Sequence, residues 1–281
     1  MFGIPNLLTA GNLLLGVFSI FLTLQGRIDL ASYCLFLAML LDFLDGFAAR
    51  FMKKHSELGK QLDSLADMVS FGVAPGALVF VLLIVASAIQ QTGLSAVELL
   101  SPYLGGSLKS LIEVYFECLI YGANQENNIV FYGWSLVLPF VSFFIPFFSL
   151  FRLAKFNIDT RQSEQFLGLP TPANTIFLTG MALTFWFGLK TEGIGGILAE
   201  LFVREQILTT IVVFFSVLLI SEIPLIALKF KSFELKSNIF RYVLLAFSLV
   251  LIIALRQFAL TFIVILYLLL SIAQNYFIKN H

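Results

Sequence analysis

Four aspartates hold most of the chemistry this sequence offers: Asp42, Asp45, Asp63 and Asp67. Asp42 and Asp45 stand three residues apart, Asp63 and Asp67 four apart. On a helix, either spacing puts both carboxylates of a pair on one face. Gly46 and Ala49 follow the first pair and Gly59 lies one turn before the second, so no large side chain blocks approach. The connection FMKKHSELGK is short enough to make the two helices antiparallel neighbours, which lets the four carboxylates converge. Unpaired, such groups repel and are costly to bury. A divalent cation relieves both costs, and an all-oxygen ligand set suits Mg2+, Mn2+ or Ca2+ rather than zinc. Such ions neutralise a pyrophosphate and the charge that develops during phosphoryl-type transfer. One carboxylate can remain free to deprotonate an incoming hydroxyl.

The elements that must position these residues lie in a membrane. Of 281 residues, 59% are hydrophobic and 12% charged, and the mean hydropathy is +0.95. Soluble domains carry roughly 25% charged residues. The balance of 17 basic and 17 acidic residues excludes a nucleic-acid binder, which needs a basic surface. Cys34 and Cys118 lie in unlike surroundings and predict no structural bridge, and His55 and His281 leave no room for a His-rich metal site. The N-terminus lacks a signal peptide's basic flank and cleavage site and reads as mature protein.

A span needs roughly 20 apolar residues, and about eight segments qualify: 7–24, 30–50, 64–89, 131–151, 173–190, 207–228, 239–255 and 258–277. Their length and lack of alternation predict helices, hence an all-α polytopic membrane protein. Residues 1–281 read as one membrane-embedded domain. It has a catalytic core over about 1–190, a non-cytoplasmic insertion over about 90–130 and additional helices over about 205–278. With the N-terminus inside, Arg50, Lys53, Lys54, Lys60, Arg152, Lys155, Arg161, Lys229, Lys231, Lys236, Arg241 and Lys279 fall on the cytoplasmic side. Arg27, Lys109, Lys190, Arg204 and Arg256 fall outside. That asymmetry predicts both termini in the cytoplasm and the aspartates at the cytoplasmic interface. The insertion carries Glu98, Glu113, Glu117 and Glu126, and its stretch LKSLIEVYFECLIYG is a candidate interfacial amphipathic helix.

The run Asp42-Phe-Leu-Asp45-Gly46-Phe-Ala-Ala49-Arg50, with Gly59, Asp63 and Asp67 following at fixed spacing, resembles the signature of the CDP-alcohol phosphatidyltransferases at every position. Ile4-Pro5-Asn6-Leu-Leu-Thr9-Ala-Gly11-Asn12, Phe151-Arg152-Leu-Ala-Lys155-Phe-Asn157, Gly168-Leu-Pro170-Thr-Pro172-Ala-Asn174 and Ile223-Pro224…Leu228-Lys229-Phe-Lys231 are similar to the phosphatidylserine synthase branch. The resemblance implies the fold of that family, a homodimer, and displacement of CMP from a CDP-linked lipid with Mg2+ or Mn2+, two ions in all, Ca2+ being an alternative occupant. It implies that Asp42, Asp45, Asp63 and Asp67 ligate metal, that Asp67 is the general base, and that Asp42, Gly46, Ala49, Arg50 and Gly59 surround the cytidine diphosphate.

Asn6 and Thr9 are candidates either for nucleotide contact or for capping the first helix. Arg152 and Lys155 either snorkel to headgroups or bind the serine carboxylate or a lipid phosphate, and Asn157 is a candidate for the serine ammonium. Glu222, beside Pro224, is an unexpected carboxylate in a span. The expected reaction joins CDP-diacylglycerol and L-serine to give phosphatidylserine and CMP in a bacterial or archaeal cytoplasmic membrane. Glycerol 3-phosphate or an inositol phosphate is the alternative acceptor, and an archaeal ether lipid the alternative donor. A cation transporter is the rival from another class, but it needs carboxylates along the membrane depth.

Overall fold

A computed structural model describes residues 3–52, 56–100, 107–122, 129–159, 166–191, 193–226 and 238–279. His55, Lys53, Lys54, Glu126, Arg161, Lys229, Lys231, Lys236 and His281 therefore lie outside the described residues. So do parts of the 90–130 insertion and the motif from Leu228 onward. The order is α1 (Ile4–Leu24), α2 (Ile28–Phe51), α3 (Glu57–Asp67), a π-helical turn (Met68–Val73), α4 (Ala74–Thr92), the short α5 (Ala96–Leu99), α6 (Leu108–Tyr121) and α7 (Trp134–Val137). A 3-10 stretch (Leu138–Phe143) leads into α8 (Phe144–Ile158). Then come β1 (Phe166–Leu167), α9 (Thr171–Gly188), α10 (Ile194–Phe202), α11 (Glu205–Ile220), β2 (Pro224–Leu225), α12 (Ile239–Leu255) and α13 (Ala259–Lys279).

The protein is an all-α polytopic membrane protein. Among the described residues, five helical runs are long and apolar enough to cross a bilayer, six if the pair Ile194–Phe202 and Glu205–Ile220, bent by 71°, is one span. One of the five, Ile239–Tyr276, breaks at Arg256, whose φ is +50°, and its halves α12 and α13 pack on each other. The sequence reading divides the same residues into two spans. Helix α9 corresponds to the expected span 173–190 but is less apolar, because Asn174 and the threonines at 171, 175, 179 and 184 face other helices rather than lipid. The expected span 207–228 stops early. Helix α11 ends at Ile220, and Pro224–Leu225 instead pair antiparallel with Phe166–Leu167, a two-stranded addition to an otherwise helical fold. Pro224 has no N–H to continue a helix.

Lipid inverts the usual amphipathic rule. The buried face of α1 is Pro5, Thr9, Asn12, Gly16, Ser19 and Thr23, while Leu7, Leu14, Phe18 and Phe21 point outward. Lipid tails are as apolar as leucine, so small residues that let backbones approach closely mark the packed face. Gly16 shows why. A Cβ there would sit 2.9 Å from the Ser70 Cα, so only glycine lets α1 lie against the π turn, and Ser70 Oγ then donates to the Asn12 carbonyl at 3.0 Å. Helix α4 is apolar all round, with every residue from Leu78 to Ala88 buried, and forms the centre of the bundle. Helix α6 forms over the stretch of the insertion read as an amphipathic helix. It docks its apolar face on the bundle, with Tyr115 fully buried and its hydroxyl donating to the Leu136 carbonyl at 2.7 Å.

The π turn directly follows Asp67. Pro75 has no N–H for the Phe71 carbonyl four residues back, and Thr175 Oγ1 on α9 reaches that carbonyl at 3.2 Å. The irregular backbone thus ties the carboxylate-bearing helix to α9. Single-turn π segments recur at functional sites.

Candidate active site

The site lies at the end of the bundle where α1, α3 and α9 begin and α2 and α8 end. Ser56 caps α3, accepting from the Gly59 N–H at 3.0 Å, and so fixes where the helix of Asp63 and Asp67 starts. Asp42, Asp63 and Asp67 each place a carboxylate oxygen so that all lie within 4.8 Å of one another. Asp45 stands apart from this trio. It is buried, and its Oδ2 accepts a hydrogen bond from Thr9 Oγ1. Asp67 is held from α1, where Asn12 Nδ2 donates to Asp67 Oδ1 at 3.2 Å. Asn12 is fully buried and its Oδ1 has no partner among the described residues. Its role escapes sequence reasoning, because only folding brings residue 12 beside residue 67.

Two cavities flank the trio. The first, of about 490 Å³, is lined by Pro5, Asn6, Thr9, Asp45, Gly46, Ala49, Arg50, Ser56, Glu57, Gly59, Lys60 and Asp63. It gathers every residue assigned by resemblance to the cytidine diphosphate except Asp42. Its floor is open because Gly46 and Gly59 carry no side chain. A Cβ on Gly59 would come 3.4 Å from Asn6 Oδ1, and one on Gly46 would face the Arg50 guanidinium at 3.9 Å. Neither Asn6 nor Thr9 caps α1; its N-cap is Gly3, with no side-chain cap bond.

The second cavity, of about 260 Å³, is lined by Asp42, Asp63, Asp67, Arg152, Leu153, Phe156, Pro170, Thr171 and Pro172. Arg152 is 3% exposed, donates from Nε to the Leu169 carbonyl at 3.2 Å and lies over the Phe156 ring. That carbonyl is itself placed by a staple. The Leu169 N–H donates to the Leu218 carbonyl at 3.0 Å and the Gly168 N–H to the Ile223 carbonyl at 2.9 Å. Gly168 has φ +78°, and a Cβ there would lie 2.5 Å from the Ser221 carbonyl oxygen, so glycine is required.

Lys155 and Asn157 line neither cavity. Lys155 Nζ pairs with Glu222 Oε1 at 3.0 Å, which also accounts for the unexpected carboxylate. Asn157 Nδ2 donates to Ser64 Oγ at 2.7 Å, and the Asn157 carbonyl accepts from Lys60 Nζ at 2.8 Å. Both residues brace α8 against its neighbours.

The trio fits a hard divalent cation. Its donors are all carboxylate oxygens, they are partly buried, and no ion pair among the described residues involves them. Carboxylates packed this closely without a cation repel each other at a cost that burial increases.

The carboxylates thus cluster at one end of the helical bundle, between two cavities, rather than along the membrane depth as an ion path needs. The family model described as CDP-alcohol phosphatidyltransferase matches residues 2–101, the stretch that carries the four aspartates. Among curated relatives, CDP-diacylglycerol–serine O-phosphatidyltransferase of Bacillus subtilis is 28% identical over 65% of this chain and 76% of its own length. The proteins of that name from Helicobacter pylori strain J99 and Saccharomyces cerevisiae are 30% and 31% identical, over 62% and 61% of this chain. The chain spans about half the length of these last two, 54% and 49%.

Proposed function

We propose that this chain is a CDP-diacylglycerol–serine O-phosphatidyltransferase, making phosphatidylserine and CMP. The observation that carries the reading is the placement of the carboxylate trio between a cavity lined by the CDP-alcohol signature and a second one reached by Asp67. The names of the relatives support serine as the acceptor.

In this reading the first cavity receives the cytidine diphosphate. Gly46, Ala49 and Gly59 allow backbone approach, and Arg50 pairs with phosphate oxygens. Asp42, Asp63 and Asp67, joined by Asp45 from the wall of the first cavity, would hold Mg2+ or Mn2+. When bound, such ions supply charge neutralisation for the diphosphate and the transferring group. Asp67, oriented by the Asn12 amide, accepts the proton of the serine hydroxyl. The serine oxygen forms a bond to the phosphorus that bears diacylglycerol, the bond from that phosphorus to the CMP oxygen breaks, and CMP leaves with the electron pair. No side chain need become covalently attached, because the site supplies a base. Arg152 offers its guanidinium to a carboxylate or phosphate in the second cavity.

The excess of basic residues on loops at this end supports a cytoplasmic site and cytoplasmic termini. The family resemblance supports a homodimer. Purified protein incubated with CDP-diacylglycerol, a range of alcohols and a chelator tests the reading. Serine-dependent CMP release that stops with chelator and returns with Mg2+ or Mn2+ is expected. Turnover with glycerol 3-phosphate or an inositol phosphate and none with serine would overturn the acceptor.

A further inference from the structure

Asn174 is fully buried, and neither its Oδ1 nor its Nδ2 meets a partner among the described residues. On the same helix the Thr179 hydroxyl also lacks a partner among the described residues, whereas two other threonines are paired. Thr175 Oγ1 reaches the Thr171 carbonyl as well as that of Phe71, and Thr184 Oγ1 donates to the Gly180 carbonyl. Hydroxyls in a helix can satisfy themselves on the preceding turn. An asparagine amide has four hydrogen-bonding positions to fill and here fills none. Buried polar groups in native proteins are almost always paired, so a wholly unpaired amide calls for a ligand or a water.

Its location points to a ligand. Asn174 lies three residues after Thr171 on α9, and residues so spaced share a helix face. Thr171 lines the second cavity together with Arg152 and the carboxylate trio. Asn174 does not itself line that cavity, but α9 begins there and side chains on a helix lean toward its N-terminus, so the amide sits about one turn below the Thr171 wall. Ser149 on α8 is one turn deeper than Arg152, is fully buried, and its Oγ also has no partner among the described residues.

We propose that Asn174 is a specificity-determining residue whose amide receives the ammonium group of a small amino-acid acceptor in the second cavity. The inference rests on the proposed function and adds to it how the acceptor class is chosen. An amide oxygen accepts from an ammonium but has nothing to accept from a fully ionised phosphate. A phosphate-bearing alcohol brings no ammonium to Oδ1, and a site built to hydrogen-bond one group discriminates strongly against an analogue lacking it.

The test compares wild-type protein with Asn174→Leu, which keeps the branching and heavy-atom count and removes the unmet amide. Asn174→Ala and Asn174→Ser serve if the leucine variant does not fold. Three quantities are measured: KM for serine, KM for CDP-diacylglycerol, and Tm without substrates. We expect KM for serine to rise at least about tenfold. KM for CDP-diacylglycerol should stay within about twofold, and Tm should hold or increase, because an unmet polar group has been removed from the interior. An unchanged KM for serine, or an equal rise in both KM values, would overturn the proposal. So would a lower Tm in every variant, which would mean that the amide is a structural group bonded to buried water. Wild-type protein that ignores serine but uses another alcohol would instead sink the functional reading itself, so the two failures are distinguishable.

Discussion

The two cavities beside the carboxylates are built by different means. The first takes all its walls from α1, the end of α2 and the start of α3, between Pro5 and Asp63. The second joins Asp42, Asp63 and Asp67 to residues from α8 and the start of α9, as far along as Pro172. The first is shaped by what is missing, at Gly46 and Gly59. The second is shaped by a chain of support. The end of α11 fixes Gly168 and Leu169, and the Leu169 carbonyl fixes Arg152. On the proposed reading, the nucleotide diphosphate is recognised by a local hairpin of helices, whereas the acceptor side depends on the packing of distant ones.

Removing the proposed base from the carboxylate trio between the two cavities should have the largest effect. Asp67→Asn keeps the shape and the Asn12 contact but removes the base and a metal donor. A loss of turnover of at least about 10³-fold is expected, with normal folding in a detergent-stability assay. Substantial remaining activity would mean that neither cavity works through Asp67. Asn12→Leu acts one step back. A hydrogen bond to a charged group is worth about 1.5–3 kcal/mol, so kcat should fall about 10- to 100-fold. Both KM values should stay near wild type. A rise in one KM with kcat unchanged would place Asn12 in that substrate's binding instead.

Thr9→Val separates the cavities. The hydroxyl that holds Asp45 is lost while volume and β-branching are kept, so KM for CDP-diacylglycerol should rise about three- to tenfold, the size of one lost hydrogen bond. KM for serine should be unaffected. Steady-state kinetics with each substrate varied in turn reads both, and a serine effect equal to the donor effect would erase the distinction.

The same contrast explains what was legible in the sequence. The first cavity lies within a stretch where helix periodicity alone puts Asp42 with Asp45 and Asp63 with Asp67, so spacing places the carboxylates before any packing is known. Even there, the reading of four converging carboxylates gives way to three plus one, because Thr9 on α1 holds Asp45 aside. Residues 12 and 67, or 169 and 218, meet only through tertiary packing, which has no local sequence signature. The π turn has a faint one in Pro75, which leaves the Phe71 carbonyl without its usual donor, but that donor's replacement, Thr175, is about a hundred residues away. The end of α11 was misjudged because apolar composition continues to Leu228 while Pro224 and the pairing with β1 end the helix.

Lys155 should show the smallest effect, and it is the clearest check that the second cavity has the walls assigned to it. By sequence it belongs with Arg152, three residues away in one basic motif. By geometry it faces outward and pairs with Glu222, its side chain 33% exposed and that of Glu222 66%. Ion pairs this open to solvent contribute about 0–1 kcal/mol. Lys155→Ala should therefore leave KM for serine and kcat within about twofold and lower Tm only slightly. Glu222→Gln should match it in both respects, since each variant removes the same pair. A serine KM raised about tenfold in Lys155→Ala but not in Glu222→Gln would mean that Lys155 leaves Glu222 to contact the acceptor. The second cavity would then extend past Arg152 to the surface, with walls less fixed than those of the first.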